Sequence, residues 1–164
     1  MKKCLFTPLA ILLSCVAFSQ NMPQTDGIKL DTKENYRAVD TVALHAATYL
    51  LSTPIDRNNM NRLKAIQFLM KWMEGTPDYT FSITGNPVSL FVKDLDMMSV
   101  YMASLVSYAI QNKSVKDDHT IILNATKTLI VYLDNKSNNV NMTGKLWKLS
   151  DAEKKRELES YLKQ

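Results

Sequence analysis

Between Ser89 and Gln111 the chain offers almost no polar face. Read as a helix, Phe91, Leu95, Met98, Met102, Leu105 and Ala109 line one side, and Val100, Tyr101, Val106 and Tyr108 cover much of the rest. The polar residues left are chiefly Ser99, Ser104 and Ser107, small enough to let neighbouring helices come close. A helix apolar nearly all round has to be surrounded by other elements. Its length would suit a membrane span of ~20 residues. Lys93, Asp94 and Asp96 at its start, and the serines within it, favour the core of a soluble bundle instead.

The surrounding elements also read as helices. Tyr36, Val39, Val42, Ala46 and Leu50 recur at helical spacing between Asn35 and Leu51. Ser52-Thr53-Pro54 ends that run, because the residue before a proline avoids helical geometry. A second helix is expected from Asn58 to Glu74. Leu63, Ile66, Leu69, Met70 and Met73 form its stripe, Phe68 and Trp72 widen it, and Arg62, Lys64, Gln67 and Lys71 supply the wet side. Gly75 and Pro77 then read as a stop. Another helix spans Lys116 to Asp134, with Ile122, Ala125, Leu129 and Leu133 as its seam and Asp117 and Asp118 favouring its start. A polar loop follows to Asn141. Ser150-Asp151-Ala152-Glu153 has the form of a capping box that opens a terminal helix, docked by Leu158, Tyr161 and Leu162. Tyr79 to Thr84 alternates with period two and reads as extended, but one such segment cannot build a sheet. The expected fold is therefore all-α: a compact bundle of about five helices with one short extended segment near residues 79–84. Residues 20–34 are polar and aperiodic, a flexible lead-in, and 35–164 form a single helical domain.

The first residues have a different character. Lys2 and Lys3 precede an apolar run from Leu5 to Phe18, and Ala17-Phe18-Ser19 is a small-x-small site. Residues 1–19 read as a signal peptide that directs export to the periplasm or beyond. The run is shorter than the ~20 residues of a span, so no integral membrane span is expected in the mature chain. Leu12-Leu13-Ser14-Cys15 resembles a bacterial lipobox, which leaves a second route open: lipidation at Cys15 and anchoring to the envelope. The two cysteines, Cys4 and Cys15, both lie in this leader. Cleavage after Ser19 leaves no disulfide, thiol nucleophile or cysteine metal site, so the domain must rest on an ordinary core.

Chemistry is hard to find in the rest. The chain has 20 Lys+Arg and 16 Asp+Glu, and removing Lys2 and Lys3 brings the two nearly into balance. Basic and acidic residues are interleaved, unlike the one-sided positive charge of nucleic-acid binders. Neither His45 nor His119 has a histidine or carboxylate three or four residues on to complete a zinc motif. Asp134 onward fails as a calcium loop, since Asn139 stands where the turn glycine belongs and Lys145 where the bidentate glutamate belongs. No phosphate loop or nucleophile elbow exists. No cofactor, metal or catalytic residue is expected.

The candidates for binding are aromatic. Trp72, Tyr79 and Phe81 flank the Glu74-Gly75-Thr76-Pro77-Asp78 turn, and Trp147 lies near the far end of the chain. Aromatics with a polar edge are favoured in recognition surfaces and serve equally to fill a core. Asp40-Thr41-Val42 resembles the O-glycosylation acceptor of exported Bacteroidetes proteins, which makes Thr41 a candidate modification site. The basic leader, the Phe18-Ser19-Gln20 junction and the stretch Trp72-Met73-Glu74-Gly75-Thr76-Pro77-Asp78-Tyr79 resemble exported helical proteins of Bacteroidetes bacteria. That resemblance implies a fold and an address, and no activity. The expectation is an exported, non-enzymatic helical module that binds an envelope protein or peptide. The alternatives are a small envelope hydrolase using dispersed carboxylates such as Glu74, Asp78 and Asp94, and a lipoprotein anchored through Cys15.

Overall fold

The computed structural model describes residues 21–163. Residues 1–19, where a signal peptide is expected, and with them Cys15, lie outside the described residues. Seven α-helices occur among those described: α1 (Lys33–Ala38), α2 (Asp40–Ser52), α3 (Met60–Gly75), α4 (Leu95–Gln111), α5 (Asp118–Asp134), α6 (Gly144–Lys154) and α7 (Leu158–Leu162). The fold is all-α, and none of these helices is long and apolar enough to cross a membrane. Seven rather than five follows from two breaks. The first expected helix divides at Val39, and the last divides after Lys154, where Arg156 takes a left-handed conformation (φ 61°).

The apolar segment sits where its composition requires. α4 packs against α2 on one side and α5 on the other, while α3 covers α2 and α6 covers α5. Val100, Tyr101 and Leu105 enter one apolar cluster with α5 and α6. Ala103, Val106 and Ile110 enter a second with α2 and α3. Ser104 is fully buried and returns its hydroxyl to the Val100 carbonyl at 2.8 Å, so a small polar residue costs the core little. The helix is shorter than its pattern suggested. Val88–Leu90 form one 3-10 turn, and Asp94 starts α4 by accepting from the N–H groups of Asp96 and Met97 at 3.1 and 3.2 Å. Leu95, expected on the buried stripe, is therefore in the first turn and 81% exposed.

Contacts between helix ends set the directions. Lys113 at the end of α4 meets Asp40 at the start of α2, so these two run antiparallel. Tyr132 near the end of α5 donates to the Thr53 carbonyl just past α2 at 2.8 Å. One pole of the bundle thus gathers the start of α2, the ends of α3 and α4 and the start of α5.

α3 corrects the sequence reading by one residue of phase. Leu63 and Met70 are exposed, whereas Arg62, assigned to the wet side, is 3% exposed. The buried stripe is Arg62, Ala65, Phe68, Leu69 and Trp72. Arg62 is drawn inward by the end of α2. Pro54 has no N–H for the Leu50 carbonyl, and Arg62 Nη1 donates there at 3.0 Å, with further bonds of 2.8 Å to the Thr53 carbonyl and hydroxyl. A cation at the negative end of a helix is favourable as well.

Three further expectations change. Residues 21–32 lack regular structure but lie on the bundle: Leu30 is buried, Met22 and Ile28 pack beside it, and Asp26 pairs with Lys64 at 2.9 Å. Gly75 has no left-handed conformation. It closes α3 where the Tyr36 ring lies, and a Cβ there would collide with that ring. Ser150 does not begin a helix. Thr143 caps α6, and Ser150 is buried within it, donating to Asp134 Oδ1 at 2.8 Å. The polar loop after Asp134 includes the buried Asn138, whose amide donates to the Tyr132 carbonyl at 2.9 Å.

Candidate functional site

The turn after α3 brings three of the four aromatic candidates together. Trp72 lies 5.5 Å from Tyr79 and 6.0 Å from Phe81 between ring centroids, and Tyr79 stacks on Phe81 at 6.3 Å. Their roles differ. Trp72 is fully buried, with its indole N–H donating to the Tyr36 carbonyl at 3.3 Å. It cannot touch a ligand, and its place among binding residues is corrected to the core, where it supports the two rings above it. Tyr79 and Phe81 are half-buried. Trp147 is 57% exposed on α6 and lines neither of the grooves described below.

A polar ring surrounds Tyr79. Its hydroxyl donates to Asp40 Oδ2 at 3.2 Å, and Lys113 Nζ donates to the same oxygen at 3.3 Å. Asp40 Oδ1 is buried and has no hydrogen-bond partner among the described residues. Burial, then the Asp40 charge, push the Tyr79 phenol above its usual range. The bond to Asp40 holds Lys113 above its usual value, with the neighbouring Tyr79 adding to it. Beside it, Arg37 grips both Asp78 oxygens, with bonds of 2.9 to 3.1 Å, and holds that carboxyl below the ordinary range. Lys116 Nζ stands 5.8 Å over the Tyr79 ring.

Two grooves flank this stretch. One of about 390 Å³ is walled by Met70, Met73 and Met102, by Phe81 and Ile83, and by Glu74 at its edge. The other, about 330 Å³, runs from Asp78–Thr80 to Val115, Lys116 and Asp118. Methionines give the first groove an adaptable apolar wall. Met70, Met73 and Met102 were expected on buried helix stripes, and Ile83 and Lys116 were not singled out as site residues. The signal for Ile83 was present in the alternation Tyr79, Phe81, Ile83.

The dispersed acids have separate local tasks. Asp94 caps α4, Asp78 is held by Arg37, and Glu74 is exposed at the groove edge. His45 is exposed, and His119 Nε2 lies 3.8 Å from Glu159. Among the described residues no three His, Cys, Asp or Glu side chains cluster as metal ligands would. Thr41 is exposed in the first turn of α2. No protein-family model matches this chain, and neither a curated protein nor a solved structure matches it.

Proposed function

We propose that this chain is an exported, non-enzymatic helical module that binds a protein or peptide in the cell envelope through the methionine-lined groove. The observation that carries the reading is an apolar groove with Met70 and Ile83 exposed beside a rigidly held aromatic wall. Adaptable apolar pockets with a few polar groups at the edge suit protein side chains. The hydrolase alternative has less support, since two of its three acids are already engaged in capping and ion pairing.

The test is affinity capture from an envelope extract with wild-type, Met70→Lys and Trp147→Ala baits, after circular dichroism has confirmed their folds. The expected result is a species retained by wild type and Trp147→Ala and lost with Met70→Lys. Equal retention by all three baits, or by none, refutes the groove. The intact mass of the protein from its native host separates a free domain beginning near Gln20 from one carrying lipid on Cys15.

A further inference from the structure

The groove wall carries an unpaired row of main-chain groups. Tyr79–Ile83 belong to no helix or strand, and among the described residues none of their backbone N–H or C=O groups bonds to protein. The nearby polar contact is between side chains, Ser82 Oγ to Thr84 Oγ1 at 3.4 Å. The row is nonetheless held in place. Tyr79 is fixed by Trp72 and Asp40, and Phe81 packs against both apolar clusters. A backbone held in place outside helix and strand, with open donors and acceptors, offers the groups that strand addition uses.

We infer that Tyr79–Ile83 receives an extended peptide that pairs with it as a β-strand, sets an aliphatic side chain among Met70, Met73 and Met102, and brings a carboxylate to Lys116. This rests on the peptide-binding reading of the same groove. A helical ligand satisfies its own backbone and would leave the row unpaired, and an acyl chain brings no donors. The charge preference follows from which cations are engaged. Arg37 pairs with Asp78 and Lys113 with Asp40, whereas Lys116 makes no ion pair within 4.0 Å among the described residues. Lys116 stands in the second groove, on the other flank of Tyr79 and Thr80, and Asp118 lines it too, so the preference for acid is modest.

The test begins with a phage-displayed library of random linear peptides, panned against the intact chain purified from its native host, with Met70→Lys as the counter-screen. The enriched peptide is synthesised unmodified, with N-methyl groups on alternate odd residues, and with them on alternate even residues. In a strand only one of these sets faces the partner. One set should weaken binding about tenfold or more and the other should leave it nearly unchanged, because each hydrogen bond lost contributes modestly on its own. Peptide should also slow hydrogen exchange at the amides of residues 80–83, and Lys116→Ala should reduce affinity about threefold for an acidic peptide and not for its amide analogue. Equal effects of both N-methyl sets, with no protection at 80–83, overturn strand addition and leave side-chain recognition of peptides standing. No peptide enriched over Met70→Lys overturns both readings. Protection at 80–83 that rises with protein concentration in the absence of peptide overturns the inference in favour of a second copy of the chain.

Discussion

Arg62→Met tests the account of how α2 ends. The substitution keeps an unbranched apolar stem of similar bulk and removes the donor that serves Leu50 and Thr53. Thr53 retains the Tyr132 hydroxyl on its carbonyl. The Leu50 carbonyl retains no partner among the described residues, because Pro54 follows four residues later without an N–H. Orphaning one buried acceptor costs about 1–3 kcal/mol and the charge-assisted bonds contribute about 1.5–3 each. Releasing a desolvated guanidinium returns part of this. The net loss should be about 2–4 kcal/mol, a large share of the ~5–15 kcal/mol typical of such a domain. At roughly 2–4 °C per kcal/mol, Tm should fall on the order of 10 °C. Urea unfolding followed by far-UV circular dichroism gives the free energy, with the slope unchanged if only stability moves. Arg62→Lys, which keeps the charge on a shorter stem, should fall between wild type and Arg62→Met. A Met variant within about 0.5 kcal/mol of wild type, the range of ordinary surface changes, would refute the reasoning.

Other outcomes follow from the same contacts. Tyr101 is fully buried and its hydroxyl has no partner among the described residues, so Tyr101→Phe should stabilise by about 1 kcal/mol in the same assay, and a loss of that size would mean the hydroxyl is satisfied. Trp72→Ala should cost about 3–5 kcal/mol and unstack Tyr79 and Phe81, and a loss below 1 would return Trp72 to the surface. Leu95→Gln should shift stability by less than about 0.5 kcal/mol in a thermal melt, and a loss above 2 would place Leu95 in the core. Arg37 lowers the Asp78 carboxyl, so that pair contributes fully above the unfolded carboxylate value and fades as pH falls through the lower folded one. Asp78→Asn should therefore lose less stability than wild type on acidification between about pH 5 and pH 2. The pair is half exposed and screened, so the difference is small, and identical acid limbs would remove it.

How much of this could be read from the chain alone depends on how local each cause is. α4 was legible because its character spreads over many residues, and no single contact could reverse it. The phase of α3 was not, because it turns on Arg62, whose burial answers a proline eight positions earlier, just past the end of α2. A charged residue next to Leu63 reads as a wet face until the end of α2 is placed against it. Ser150 and Glu153 fit a capping pattern at the right spacing, but Asp134 claims the Ser150 hydroxyl from a helix the pattern does not include. At the site, the turn after Gly75 gathered the aromatics visibly. Which ring faces solvent was settled by Tyr36, thirty-six residues before Trp72, whose carbonyl takes the indole N–H. Short-range patterns fixed the kinds of element, and long-range hydrogen bonds decided which side of each was buried.

α4 has a further consequence for how the molecule can be taken apart. It contributes to the cluster shared with α2 and α3 and to the one shared with α5 and α6. A partition between two rooms can lose neither without being exposed on one side, and α4 has no side suited to water. Letting go of the first half would wet Ala103, Val106 and Ile110, and letting go of the second would wet Val100, Tyr101 and Leu105. The described residues therefore have no natural point of division. A fragment cut between α3 and α4, or between α4 and α5, leaves an uncovered apolar wall, and the methionine-lined groove, which draws on α3, α4 and the segment between them, is only as durable as the whole.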